Sequence, residues 1–495
     1  MPTRDYSCSQ TQMFGYEAKD RLPEGHICFL IDEVVEDLEL GPAARGNTVL
    51  GAPVYDPRMM VKVLFYGYAR GIRSSRKLAD ECRENIGFIH LCRGATADFR
   101  TICRFRSENE GLLQSAFSEL IGRLVQSGVV RGSHIIADGT KIRANASNRK
   151  ILPRKFFDEV RKAVDEWMSD SASQDKQEDL GERLSSAGIG RTGTSGEIDS
   201  LQRLVDKCSK VLEEGETCDA KVVSLTDPDS RFMKDGATGK LGLSYNVQAA
   251  VDAESGIIVA CDVTDDAVDN NSLCRLVAKA EASSGETVDT VDADSGFFEM
   301  EQIRRLEDGG KDVCVADSET VSAMRKGRLR EFIEGEKFIY DSQRDVFVCP
   351  YGNEHVGKPI CRRKSGRVYR VYEATRACGG CPCRRECLGD SRSRFHKLER
   401  TADHPGLYRY RLRFLLAEYQ DRLTRRRLIE HNFGHLKHNL GFRRFLLRGL
   451  SGARIETFLV ACASVLRRIC NILSRTGRNW GCLRRMQGVA EPTAA

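Results

Sequence analysis

Apolar residues fall at helical spacing through the first quarter of the chain. Between Pro57 and Arg70, Val61, Leu64, Phe65 and Tyr68 share one face, the pattern of an amphipathic helix. Ser74 and Ser75 stand where N-caps belong for a second helix through Leu78, Cys82 and Ile86. A third helical segment is predicted from Thr96 to Val130, with Leu112, Phe117, Leu120, Ile121 and Leu124 on its inner face. The period then shortens. Ser133–Asp138 is a short apolar run closed by a carboxylate, and Ser244–Asp252 and Ile257–Val263 read as strands joined by a Glu254-Ser-Gly256 turn. A helix over 270–282, a strand over 287–294, a helix over 299–309 and a strand over 312–316 follow. Residues 150–220 are polar and charged, with helical stretches at 156–168 and 198–212, which predicts an exposed insertion. Cysteines crowd 340–395, and basic helices fill 405–475. The alternation is that of an α/β domain with a mixed sheet.

Composition narrows the class. Of 495 residues, 41% are hydrophobic and 30% charged, an ordinary globular balance with room for about three domains. No run approaches the roughly 18 apolar residues of a membrane span; Phe458–Ala463 is broken by Ser464 and soon meets Arg467 and Arg468. The start carries Arg4, Asp5, Glu17, Lys19 and Asp20 where a signal peptide would be apolar. These features predict a cytoplasmic protein with no membrane partner. Its 19 cysteines then sit under reducing conditions, where metal ligation or burial outranks disulfides. Net charge is only +6, but residues 401–495 hold 18 Lys and Arg against 6 Asp and Glu. Arginine supplies 17 of those positives, and its planar fork suits phosphate. A polyanionic partner is the sharper reading of that bias, and a solvated basic helix the blander one. Gly236-Ala-Thr-Gly-Lys-Leu241 has neither the spacing nor the final hydroxyl of a P-loop and reads as a turn.

Three acidic residues stand out by position. Asp138 closes the first strand, and Asp294 closes a later one just before Ser295-Gly296. Glu430 lies on a helix whose stripe Ile429, Phe433, Leu436 and Leu440 faces inward, with Arg426, Glu430 and Lys437 along the neighbouring face. Read from spacing alone, Arg426 and Glu430 are equally an i, i+4 surface pair worth about 0.3–0.5 kcal/mol. Converging carboxylates suit Mg²⁺ or Mn²⁺, which take oxygen ligands and keep several waters. Two such ions roughly 3.5–4 Å apart serve phosphodiester chemistry.

These residues sit in motifs that resemble the DDE transposases of bacterial insertion sequences, in the group whose third motif reads Tyr-x2-Arg-x3-Glu-x6-Lys. Arg426, Glu430 and Lys437 keep that spacing, while Leu423 occupies the tyrosine position. Ala137-Asp-Gly-Thr-Lys-Ile-Arg-Ala-Asn-Ala146 resembles the first motif and Ala293-Asp-Ser-Gly-Phe297 the second. Thr226-Asp-Pro-Asp-Ser-Arg-Phe-Met-Lys234 with Tyr245–Asp252 resembles a signature that follows the insertion. Tyr55-Asp-Pro-Arg-Met59 and Thr101-Ile-Cys-Arg-Phe-Arg106 resemble the family's N-terminal domain. The likeness implies an RNase H-like mixed-sheet catalytic domain and two metal ions per active site. Asp138 would contact both ions, and Asp294 and Glu430 would hold one each. Asp292 competes for the second position, and the Ala-Asp-x-Gly context favours Asp294. Helical DNA contacts are expected from Arg100, Arg104 and Arg106, with Arg426 and Lys437 holding phosphate or flanking strand.

Val348-Cys-Pro-Tyr-Gly352 and Cys378-Gly-Gly-Cys-Pro-Cys-Arg-Arg-Glu-Cys387 together supply four thiolates for a structural zinc site. Cys349, Cys378, Cys381 and Cys387 are the expected ligands, with Cys383 and Cys361 as substitutes and buried thiols as the alternative. The expected organisation is an all-helical DNA-end-binding domain (1–131) and the first part of the catalytic domain (132–339). A small Cys-rich insertion (340–395), the C-terminal catalytic helices (396–475) and a tail (476–495) follow. The expected activity is metal-dependent hydrolysis at terminal inverted repeats followed by strand transfer, on double-stranded element ends and target, by a homodimer or larger assembly. A nuclease without strand transfer, or an inactive domesticated DNA-binding protein, are the alternatives.

Overall fold

The computed structural model describes residues 18–40, 55–147, 151–153, 222–224, 226–236, 239–335, 338–364, 367–389, 391–401, 404–425 and 427–485. The helices predicted at 156–168 and 198–212 lie outside them. Six helices open the described chain: α1 (Ile27–Asp37), α2 (Pro57–Ala69), α3 (Ser75–Glu84), α4 (Ile86–Leu91), α5 (Phe99–Glu108) and α6 (Glu110–Gln126). Two asparagines split what the periodicity joins. Asn85 accepts from the Gly87 amide and starts α4, so Ile86 is not in α3. Asn109 leaves helical geometry and donates its side-chain amide to the Phe105 carbonyl at 2.7 Å, closing α5 before α6 begins. Helix α1 is not among the expected elements, although Leu30, Ile31, Val34 and Val35 are buried at helical spacing.

The catalytic half follows as β1 (His134–Arg143), β2 (Ile151–Pro153), β3 (Val222–Ser224), β4 (Arg231–Lys234), β5 (Leu241–Asp252), β6 (Ile258–Thr264), α7 (Leu273–Ser284), β7 (Thr290–Ala293), α8 (Met300–Asp308) and β8 (Asp312–Cys314). β5 pairs antiparallel with β1 along one edge and with β6, and β4 at its start, along the other. β1, β7 and β8 are parallel neighbours. Three antiparallel strands continued by two parallel ones are the expected RNase H-like sheet. Asp252 fixes the predicted hairpin turn by accepting from the Ser255 amide at 2.7 Å and from the Gly132 amide at 3.1 Å.

Next come α9 (Ser318–Arg325) and α10 (Leu329–Glu334), and then a second sheet for which the sequence reading gives no elements. The cysteine-rich segment is built as a five-stranded antiparallel sheet: β9 (Ile339–Asp341), β10 (Val346–Val348), β11 (Glu354–Lys364), β12 (Arg367–Ala374) and β13 (Lys397–Thr401), with a short α11 (Arg384–Leu388). Its core is small: Tyr340, Phe347, Tyr372 and Leu398. Asp345 ties it together, accepting from the hydroxyls of Tyr340 (2.6 Å) and Tyr372 (2.8 Å) and pairing with Arg370.

The chain ends in α12 (His404–Leu412), α13 (Ala417–Arg425), α14 (Arg427–Gly434), a π-helical turn at His435–Asn439, α15 (Gly449–Thr476) and α16 (Trp480–Arg485). The Thr226-Asp-Pro-Asp signature finds its purpose at the start of α15. Asp227 accepts from the Gly449 amide at 3.0 Å and Asp229 from the Leu450 amide at 2.7 Å, so two carboxylates cap the helix. Helix α15 is long and apolar enough to cross a membrane by length and composition, which the search for apolar runs does not anticipate. Two thirds of its apolar stretch, 67%, is buried inside the protein. It packs on β6 and on α2 and α6 together; Phe458 meets Phe117 with ring centroids 6.2 Å apart, and Arg467 donates to the Ala69 carbonyl at 2.9 Å. The N-terminal helices and the catalytic sheet therefore share one hydrophobic core.

Candidate active site

Parallel pairing puts the first two acidic residues side by side. β1 and β7 are in register through Ala137 and Ala293, so Asp138 and Asp294 are the next positions. Asp294 lies just past β7 as expected, but Asp138 does not close its strand, because pairing with β5 carries β1 on to Arg143. The Asp294 amide donates to the Ala137 carbonyl at 3.3 Å, and Asp138 accepts from the Gly139 amide at 2.7 Å. Both residues are half-buried. Just beyond, the chain turns through Ser295–Phe297 with Phe297 fully buried, which anchors the loop that Asp294 opens.

Glu430 lies on α14, which packs against β1. Ile429, Phe433, Leu436 and Leu440 are buried as the stripe predicts, and Glu430 is exposed on the adjoining face. Helix α14 widens into the π-turn that carries Lys437, a local distortion common at functional sites. Lys437 is half-buried. Burial pushes its pKa below the ordinary lysine range, while the charges of Asp235 and Asp138 pull it back, so Lys437 lies within the field of Asp138. Arg426 lies outside the described residues.

Asp292 is a different kind of group. It is buried, 1% exposed, and held by Arg422 at 2.7 Å and His134 at 2.9 Å. Arg422 also pairs with Asp312 on β8 and stacks on Tyr419, pinning α13 to the parallel half of the sheet. Sequence reasoning missed a further acidic residue, Asp269. Its carboxylate accepts from Gln248 Nε2 at 2.9 Å and from the Asn246 side-chain amide, and pairs with Lys141 at 3.4 Å. Burial lowers the Lys141 pKa, against the pull of Asp269, Asp138 and Asp266. Asn246 and Gln248 are fully buried, and their side-chain oxygens have no hydrogen-bond partner among the described residues, at a cost of roughly 1–3 kcal/mol each.

Among the described residues, no three His, Cys, Asp or Glu side chains stand close enough to hold one metal ion. The adjacent Asp138 and Asp294 nevertheless offer hard oxygen donors, one within β1 and one at the end of β7. Mg²⁺, which keeps several of its waters, needs no closed protein cage, so this donor chemistry fits it.

The N-terminal arginines separate into two kinds. Arg100 and Arg104 are exposed on α5. Arg106, expected to contact DNA, is buried at 3% exposure and donates to Tyr68 Oη (3.0 Å), the Arg73 carbonyl (2.7 Å) and Ser75 Oγ (3.2 Å). Its guanidinium is committed to the fold. Tyr68 in turn donates to the buried Glu456 on α15 at 3.2 Å. Phe99, 38% exposed, lies between the guanidinium groups of Arg76 and Arg100, 5.2 and 5.7 Å from its ring centre. Arg73 reaches the loop after the π-turn, donating to the carbonyls of Gly441 and Arg444, each at 2.9 Å.

Cys349, Cys378, Cys381, Cys383 and Cys387 all line one cavity of about 370 Å³ with Tyr351, His355 and His396. The expected four thiols are therefore neighbours, although not drawn into ion-holding distance. The Asn353 amide donates to Cys349 Sγ at 3.3 Å, and its side chain reaches Cys378 Sγ at 3.8 Å. The Cys361 side chain lies outside the described residues.

Residues 16–108 match the family described as Transposase domain (DUF772), and residues 217–466, half of the chain, match the family described as Transposase DDE domain. The second span contains Asp294 and Glu430 but not Asp138. No curated protein and no solved structure matches the chain.

Proposed function

Given that the chain belongs to the DDE transposases of insertion sequences, an enzyme family that transfers nucleotidyl groups on DNA, we propose that it cuts at the terminal repeats of its element and joins the freed ends to target DNA. The observation that carries this reading is the placement of Asp138, in the middle of β1, beside Asp294, just past the end of the parallel neighbour β7, with Lys437 in the field of Asp138. Asp138, Asp294 and Glu430 would hold the Mg²⁺ or Mn²⁺ ions. When bound, such ions activate the attacking oxygen and stabilise the leaving one. Movement of α14 would bring the exposed Glu430 to the other two carboxylates. Lys437, with Arg426 on the third motif's spacing, would grip the phosphate and orient the strand for in-line attack, first by water and then by the freed 3′-hydroxyl.

Element ends would be read by the N-terminal helices, with Arg100, Arg104 and Arg76 on phosphates and Phe99 against the sugar or base edge. Cys349, Cys378, Cys381 and Cys387 would close around a structural Zn²⁺. The assembly on DNA would be a homodimer or larger, on the nucleoid in the cytoplasm. The test uses a duplex carrying the inverted repeat that borders the gene, a second unrelated duplex and Mg²⁺. The expected product joins the 3′ end of the repeat to the second duplex. Cutting without joining would favour a nuclease, and binding without cutting an inactive DNA-binding protein.

A further inference from the structure

Two glycines face one carboxylate beside the acidic pair. Gly139 follows Asp138, and Gly296 lies two residues beyond Asp294. A Cβ on Gly139 would stand 2.7 Å from Asp269 Oδ1, and one on Gly296 would stand 3.4 Å from Asp269 Oδ2. Neither glycine has the positive φ that would itself demand glycine. Space for Asp269 explains Gly139, where a side chain would collide with its carboxylate, while at Gly296 the same carboxylate comes only to ordinary contact distance.

Asp269 belongs to the loop between β6 and α7, so it is a third segment inserted between the two that carry Asp138 and Asp294. Its position is strongly determined. Gln248 and Asn246 turn their amide NH₂ groups toward it and leave their own buried oxygens unmatched among the described residues. Lys141, on the same strand as Asp138, adds a cation at 3.4 Å. Asn246 and Gln248 lie opposite Lys141 and Gly139 in the β1–β5 register, so these three side chains on its carboxylate come from the two central strands, while the Ser272 amide (3.1 Å) and Oγ (2.6 Å) hold its backbone carbonyl.

We propose that Asp269 is a positioning residue: its carboxylate, wedged between the Asp138-Gly139 and Asp294-Ser-Gly296 segments, sets the separation of the two metal-binding carboxylates. The proposal rests on the reading of Asp138 and Asp294 as metal ligands. Groups that orient ligands from behind change metal affinity by roughly 10- to 100-fold when altered, and contacting residues give non-additive losses.

The test uses the full-length chain with Mn²⁺ alone, following free Mn²⁺ by electron paramagnetic resonance, and with melting temperature recorded alongside. Asp269→Asn, which keeps shape but loses charge, and Asp269→Ala are each expected to weaken Mn²⁺ binding about ten-fold or more. Gly139→Ala is expected to do likewise in the wild-type background. In the Asp269→Ala background it should add less than about two-fold, because the clash has gone. Losses that multiply in the double variant, or Asp269 variants that bind Mn²⁺ like the parent, would overturn the proposal. Asp138→Asn separates the two readings. If it loses Mn²⁺ while Asp269→Asn does not, only the positioning role fails; if it too binds normally, the metal-ligand reading fails and the proposal falls with it.

Discussion

The protein contains two β-sheets that are stabilised in opposite ways. The six-stranded sheet lies inside a core that runs from α1 to α16, and β5 and β6 are buried along nearly their whole length. Among the described residues, the five-stranded sheet has a core cluster of only Tyr340, Phe347, Tyr372 and Leu398 and leans on polar fastenings, with Asp345 at the hub. The first can therefore support open, unsatisfied chemistry at its strand ends, because burial elsewhere holds the strands. The second has little apolar burial to spare, and a cavity lined by five thiols is where a metal would supply what its core lacks.

The largest expected effect isolates the chemistry of the first sheet. Asp138→Asn, Asp294→Asn and Glu430→Gln should each reduce cleavage of the terminal-repeat duplex to background while DNA binding by gel shift and the melting temperature stay near the parent values. Zinc removal should do the reverse. A structural site can contribute on the order of 10–16 kcal/mol of apparent binding energy, much of it spent ordering its surroundings. Chelation, Cys378→Ser or Cys381→Ser should therefore make residues 339–401 protease-sensitive and leave the six-stranded sheet protected from hydrogen exchange. Metal analysis of freshly reduced protein should find about one zinc per chain, and finding none would return the cysteines to plain thiols.

Asp292 sharpens the contrast within the first sheet. Breaking its buried pair by Arg422→Ala should destabilise the protein by about 3–5 kcal/mol, read as a lowered denaturant midpoint. Asp292→Asn should likewise lose stability before it loses chemistry, and a stable but inactive Asp292→Asn would reverse the assignment of the second ligand.

Acid should weaken the second sheet first. His404 stacks on Tyr340, and burial, reinforced by Arg400 and Arg411, lowers its pKa to about 4. The unfolded chain takes up that proton near pH 6.5, so the stability is complete above 6.5 and is lost as pH falls toward 4. After allowance for solvent, the loss is on the order of 2 kcal/mol. His404→Phe should flatten this acid limb in thermal melts. The smallest effect belongs to the surface: Arg100→Ala and Arg104→Ala should each reduce the salt slope of DNA binding by about one contact's worth, and Arg106→Ala should instead lower stability.

How much could be read beforehand follows the same division. Strands β5 and β6 declare themselves as apolar runs, and Asp294 stands at the end of its strand as read, whereas β1 runs on past Asp138 through the polar Gly139–Lys141, which hide its second half. Strand β11 hides behind Gly357, Pro359 and five charged residues among its eleven, Glu354–Lys364, whereas the Val and Tyr residues of β12, Arg367–Ala374, do carry a strand signal. Arg106 looks like Arg100 and Arg104 until its i, i+4 relation to the buried Ile102 is weighed. Asp269 is one of several aspartates in Thr264-Asp-Asp-Ala-Val-Asp-Asn270, and the only hints of its place are two glycines in distant motifs. Contacts between segments far apart in sequence leave little local trace.

Helix α15 bears on how such a gene can change. Because it packs on β6 and on α2 and α6 together, the N-terminal helices cannot be exchanged like a cassette between elements. A recombinant joined at residue 131 would have to match a foreign set of side chains to Phe458 and Arg467 at once. New end specificity should therefore arise by substitution on exposed positions of α3 and α5, and descent should follow the chain as a single heritable unit.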